Sequence, residues 1–269
     1  SALTKIFTRQ DFMKLLHNNK DLFREVVISA AENLKLPVAI VEKDYYVTLI
    51  LKLFSEMTPE CVFKGGTSLS KCHGAIDRFS EDIDISFSTH LSQGQRKKFK
   101  NEVIKEISKV LCLPIADWEK ARSRRDYNCY TFSYESIELG VQQGALAPGV
   151  KMEVVLSSTA FPSGPMAVGN YLLNFLEKDN KERIEEYGLN SFRMNVQGLE
   201  RTLIDKIFAI CDYYLLDDLH RRSRHIYDIH MLLPLVKIDR SFEELFREVR
   251  EIRVNLRKCP SANKRAHIL

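Results

Sequence analysis

The chain has 269 residues, 45% hydrophobic and 28% charged, a balance that fits a folded globular protein and excludes a disordered one. Its net charge of +4 is too mild to establish a nucleic-acid partner, so such a partner must be argued from local clusters. No apolar run is long enough for a membrane span, the start SALTKIFTRQ lacks the apolar core of a secretory signal, and six cysteines without a CxxC pair predict reduced thiols in a cytoplasmic protein.

Residues 9 to 57 predict helices. In VEKDYYVTLILKLFSEM, Val41, Tyr45, Leu49 and Leu53 recur at helical spacing behind Pro37, which makes the segment a packing element. CVFK (61–64) is short and β-prone, TSLSKCHGAI opens a helix, and DIDISF (82–87) alternates carboxylate and apolar side chains as a strand does. From Ser92 to Leu111, Phe99, Val103, Ile107 and Val110 share one face, so an amphipathic surface helix is expected. Strands follow at NCYTFSYES (128–136) and VKMEVVL (150–156), with GVQQGALAPG as a loop between them.

Pro and Gly in FPSGPMAVG (161–169) mark a lobe boundary. Residues 1–160 are then an N-terminal lobe carrying the chemical core, and 161–269 a mainly helical lobe. Its helices are expected in NYLLNFLEKDNKERIEEYG, GLERTLIDKIFAICDYYLL, RHIYDIHMLLPLV and SFEELFREVREIRVNLRK. The plan is α+β, without repeated βαβ units.

The stretch FKGGTSLSKCHGAIDRFSEDIDISF (63–87) carries the chemistry. Gly65 and Gly66 permit close backbone approach, and the N–H groups of Thr67 and Ser68 at a helix start suit the β- and γ-phosphates of a nucleotide. Asp82 and Asp84, two apart on a strand, point the same way, with Glu153 as a third donor from a neighbouring strand. Hard oxygen donors suit Mg²⁺ or Mn²⁺. Alone, Asp-x-Asp is an edge pattern and Gly-Gly a turn; the ordered combination predicts one nucleotide and metal site.

On EKDYYVT (42–48), KGGTSL (64–69), RFSEDIDI (78–85), KMEVV (151–155), LERTLIDKI (199–207) and RHIYDIHML (224–232), the chain resembles the nucleotidyltransferase-like toxins of the AbiEii/AbiGii type, which include the MenT toxins. The resemblance implies a minimal polymerase-β-like core sheet flanked by helices, and a metal-dependent enzyme that transfers NMP from an NTP. It also implies that Lys206 faces the nucleotide phosphates and that Asp228 lies across the same cleft. Spacing alone makes Lys206 a solvated helix residue and Asp228 the i, i+4 partner of Arg224. Arg78 and Ser80 are turn residues or, more sharply, phosphate contacts. Glu153 departs from the Asp often found in the polymerase-β core, which leaves both metal ligand and general base open for it.

Related toxins modify the 3′ end of tRNA, so the resemblance implies that acceptor, a block on translation, and an antitoxin from a neighbouring gene. Three basic patches are compatible: RSRR (122–125), HRRSRH (220–225), and Arg247, Arg250, Arg253 and Arg257. Glu243, Glu244, Glu248 and Glu251 intersperse the last, where a salt-bridged helix face competes with a phosphate track. HRRSRH, three residues before Asp228, is the expected acceptor patch. His220, His225 and His230, spaced at five, share no helix face, which disfavours a zinc site. Trp118 and the aromatics of YYLL and DYNCYTF are expected in the core, and nothing reads a nucleotide base. Two alternatives remain: transfer of NMP to a protein hydroxyl, or a nucleotide-binding module without turnover.

Overall fold

The computed structural model describes residues 14–116, 118–122, 127–137, 148–178, 180–218, 220, 223–256 and 259–263. Of the segments singled out above, residues 9–13, most of RSRR, most of GVQQGALAPG, Arg221, Arg222 and Arg257 lie outside these.

The first helices are α1 (Lys20–Leu34) and α2 (Val38–Met57). Asn19 caps α1 by accepting from the Leu22 N–H at 3.2 Å, and Lys35 ends it in the left-handed region at φ 56°. Next come β1 (Cys61–Lys64), α3 (Gly65–Lys71) and β2 (Ile83–Phe87). The expected amphipathic helix is α4 (Gln93–Lys98), a five-residue π segment, and α5 (Ile104–Val110), begun by a Ser92–Gln95 capping box. It is followed by β3 (Ile115–Ala116), α6 (Trp118–Arg122), β4 (Tyr127–Phe132), β5 (Val150–Thr159) and β6 (Ser163–Val168). The chain then forms α7 (Tyr171–Leu176), α8 (Lys181–Glu186), β7 (Phe192–Gln197), α9 (Leu199–Leu215), α10 (Ser223–Leu232), α11 (Arg240–Val254) and α12 (Pro260–Asn263).

The seven strands of the described residues join one mixed sheet in the order β3-β4-β5-β2-β1-β7-β6. At its centre β2 runs antiparallel to β1 and parallel to β5. Period-two alternation sends Ile83, Ile85, Met152 and Val154, all fully buried, to one face against α2. The opposite face carries a polar row, because Lys64, Asp84, Glu153 and Cys129 stand in register across β1, β2, β5 and β4. The α+β expectation thus holds.

Packing divides the chain later than composition suggests. FPSGPMAVG holds β6, an edge strand that tolerates Pro165, and β6 pairs with β7 inside the same sheet. The sheet therefore continues past residue 160. A second apolar cluster gathers Leu203, Ile204, Phe208, Leu232, Phe242 and Val249 with Leu69, Ala75 and Ile76. This helical lobe begins at α9 and packs onto the chain around α3.

EKDYYVT is a packing element with charge inside it. Glu42, Lys43 and Asp44 on α2 are all buried. Asp44 pairs with Lys71 of α3 and accepts the Tyr171 N–H at 2.9 Å, while Lys43 pairs with Glu81 just before β2. Both pairs brace the segments that carry the glycine turn and the aspartates. Asp44→Ala leaves Lys71 buried beside an unpaired site and should cost about 3–5 kcal/mol in urea unfolding. Adding Lys71→Met should restore most of that loss; a double variant no more stable than Asp44→Ala contradicts the pairing.

Candidate active site

A cleft of about 770 Å³ opens between the polar face of the sheet and helices α9 and α10. Gly65, Gly66, Arg78, Ser80, Asp82, Asp84, Glu153, Lys206 and Asp228 all line it. Two of the expected residues do not: Thr67 and Ser68 are buried behind the glycines.

The glycines are required by close approach. Gly65 has φ +78°, and a Cβ there would lie 1.9 Å from Asp84 Oδ2; one on Gly66 would lie 2.8 Å from both Arg78 Nη2 and Ser80 Oγ. Thr67 Oγ1 lies 2.9 Å from Ser80 Oγ and also reaches the Asp82 carbonyl, while Ser68 Oγ donates to the Gly65 carbonyl at 2.9 Å. These hydroxyls tie the turn to the aspartate segment. Lys64 supplies no side-chain cap to α3.

Asp82 and Asp84 are both shifted toward their neutral forms. Burial is the main cause for each. Lys151 pulls Asp82 the other way, and Glu81 and Glu153 add to the rise. Asp84 keeps part of its surface in the cleft but is pushed up to about 6, with Lys64 opposing and Glu153 and Asp82 adding repulsion. Two crowded hard-oxygen donors of this kind fit a divalent cation, which would relieve the repulsion. Glu153 is differently engaged: Lys151 pairs with it, and it accepts a hydrogen bond from the Tyr127 phenol. Among the described residues, no three His, Cys, Asp or Glu side chains are grouped to hold a metal ion. The fit is therefore to the Asp82 and Asp84 pair.

Across the cleft Asp228 is fully buried. Arg78 grips it with two parallel bonds, Nε to Oδ1 at 2.8 Å and Nη2 to Oδ2 at 2.7 Å, and Lys206 Nζ lies 2.6 Å from Oδ2. Burial would raise this carboxyl; the Arg78 hydrogen bonds and the Lys206 charge overcome it and hold it below the ordinary range. Spacing had offered Arg224 as the partner. The structure supplies a guanidinium 150 residues away instead, and Lys206, expected by spacing alone to be solvated, is 8% exposed.

A family model described as "Nucleotidyl transferase AbiEii toxin, Type IV TA system" matches residues 50–266. The chain belongs to the AbiEii family. It is thus a nucleotidyltransferase and the toxin of a type IV toxin-antitoxin system, with a nucleotide substrate and an antitoxin partner. A comparison with curated proteins found no match. Among solved structures, JHP933 from Helicobacter pylori is similar over 79% of this chain and 74% of that one, at 14% identity and a TM-score of 0.44.

Several lining residues of this AbiEii cleft escaped the sequence. Lys64 faces Asp84 through strand register, and Lys151 reaches Glu153 from two positions away on β5. The period-two pattern of KMEVV could have exposed Lys151. Asp205 and Tyr213 also line the cleft from α9. Of the basic patches, Ser223, Arg224 and His225 reach it. The described arginines of the α11 stripe have partners within the chain: Arg253 pairs with Asp212 at 2.7 Å, Arg250 donates to the Ala262 carbonyl at 3.0 Å, and Arg247 pairs with Glu243 at 3.4 Å. Trp118 stacks on Tyr130, as expected for a packing residue.

Gly65→Ala should lower transferase activity about a hundredfold or more, because Asp84 must move. Gly74→Ala, at φ +57° with nothing within 4 Å, serves as the control and should keep its activity. Equal effects on activity contradict the close-approach reading. A second expectation concerns pH. Because the folded Asp84 carboxyl titrates near 6 and its reference value is 3.8, the folded state binds the extra proton between these values. Stability in EDTA should therefore fall as pH rises through that window. Asp84→Asn should melt at or above the wild-type temperature at pH 7, with the gap closing toward pH 4; a lower melting temperature at pH 7 contradicts it.

Proposed function

We propose that this cleft transfers NMP from an NTP to an RNA acceptor, the 3′ end of tRNA, and so blocks translation in the cytoplasm. The observation that carries the reading is the meeting of Gly65 and Gly66, Asp82 and Asp84, and Lys206 in one cleft. The charges of that cleft support a divalent cation. Among the described residues five cations line it, Lys64, Arg78, Lys151, Lys206 and Arg224, against five acids, Asp82, Asp84, Glu153, Asp205 and Asp228. A polyanionic triphosphate gains little from so balanced a lining unless it brings a cation with it.

In this reading Asp82 and Asp84 hold Mg²⁺ or Mn²⁺, which supplies neutralisation of charge on the phosphates. The N–H groups of Gly65 and Gly66 border the phosphates, with Arg78 and Ser80 beside them. Lys206 directs its ammonium at the donor while Asp228 fixes its position. The acceptor oxygen attacks the α-phosphorus, pyrophosphate leaves, and the hydroxyl proton passes to a cleft carboxylate. Arg224 supplies a basic entry for an RNA backbone next to Asp228, which favours RNA over a protein hydroxyl. Among the described residues no helix is long and apolar enough to cross a membrane.

Incubating the protein with each labelled NTP, Mg²⁺ and total tRNA should label the tRNA. Asp82→Ala or Asp84→Ala should lower the rate about a thousandfold or more, with the fold retained by circular dichroism. Label found on protein instead of tRNA overturns the acceptor, and wild-type rates in either variant overturn the site. Lys206→Ala should raise the NTP KM about tenfold or more and leave the tRNA KM within about twofold. An unchanged NTP constant and rate remove Lys206 from the donor site.

A further inference from the structure

One wall of the cleft carries two unlike rungs. Helix α9 presents Thr202, Lys206, Ala209 and Tyr213 to it, at positions i, i+4, i+7 and i+11, which form a single helical stripe. Helix α10 runs the other way beside it and presents Asp228 and His225. At the inner level Lys206 meets Asp228 at 2.6 Å. At the outer level the rings of Tyr213 and His225 lie 5.6 Å apart at 55°, which makes an angled corner and not a closed stack. Seven residues of helix separate the levels, about 10 Å along its axis. Between them stands Ala209, the smallest side chain of the stripe.

Tyr213 had been expected in the core. It belongs to neither apolar cluster and lines the cleft, whereas its neighbour Tyr214 is 69% exposed. A half-buried aromatic ring outside the core, beyond a small side chain and one nucleotide's reach from a phosphate-facing lysine, has the form of a base-stacking surface. We propose that the Tyr213–His225 corner holds the nucleobase of the donor NTP, resting on the nucleotidyl-transfer reading of the same cleft. Stacking uses the π-face that every base possesses, so the corner accepts a nucleoside triphosphate without reading its Watson–Crick edge. The base lies over Ala209, and Tyr213 and His225 bound it on the outer side.

The test measures binding without RNA, using NTP and, as a base-free probe, inorganic tripolyphosphate. Tyr213→Ala should weaken NTP binding about tenfold, the scale of one base on one ring, while tripolyphosphate binding stays within about twofold. Ala209→Leu, which puts a larger side chain between the two levels, should do the same, and Tyr213→Phe should bind NTP like the wild type. Unchanged NTP affinity in Tyr213→Ala with a raised KM for tRNA overturns the donor assignment. Equal loss of NTP and tripolyphosphate overturns the stacking role. Wild-type protein that binds tripolyphosphate as tightly as NTP also overturns it and leaves the transfer reading standing. Wild-type protein that binds neither ligand removes that reading and the stacking site with it.

Discussion

Asp228 keeps its negative charge with none of its surface exposed, and it does so because Arg78 and Lys206 converge on it. Arg78 comes from the segment between α3 and β2, Lys206 from α9, and Asp228 from α10. An unpaired buried carboxylate is costly, about 3–5 kcal/mol when one partner of such a pair is removed. The contact therefore holds the helical lobe against the rest of the chain at one place, and that place is the inner wall of the cleft. The separation between the aspartates at the start of β2 and the lysine on α9 follows from it.

The same cleft drives two sets of carboxyls in opposite directions. Asp82 and Asp84 are pushed toward the neutral form by burial and by each other's neighbours, while Asp228 is held ionised by its cations. Divergent environments of this kind separate roles among chemically identical groups. The first pair favours an incoming cation; Asp228 on the far wall fixes a lysine and an arginine. Behind both, buried pairs on α2 brace α3 and the chain before β2, the irregular segment that carries Arg78, Ser80 and Asp82.

What could be seen in the sequence was what the backbone constrains locally. Gly65 and Gly66 are adjacent to a turn that no Cβ can enter, and Asp82, Ile83 and Asp84 alternate as their strand does, so both signals survive in one dimension. Partnerships set by tertiary register did not. Lys64 faces Asp84 only once β1 pairs with β2, and the i, i+4 rule chose Arg224 for Asp228 when a distant arginine had the better geometry. Strands β6 and β7 were hidden because SGPMAV looks like a linker, and its pairing to FRMNVQ at a sheet edge overrides local propensity. Thr67 and Ser68, expected at the phosphates through their N–H groups, are buried, and their hydroxyls bond to Ser80 and to the Gly65 carbonyl. Tyr213 resembled its core neighbours until α9 and α10 were laid side by side.

Transfer to tRNA by the Asp82 and Asp84 cleft is tested most directly in cells. The intact chain and its Asp82→Ala form would each be expressed without antitoxin, and the 3′ ends of total tRNA sequenced from both cultures. Extra 3′ nucleotides in the first culture, with arrested growth, and unmodified ends with normal growth in the second are the expected result. Arrest with unmodified tRNA ends, or arrest that persists with Asp82→Ala, would contradict it.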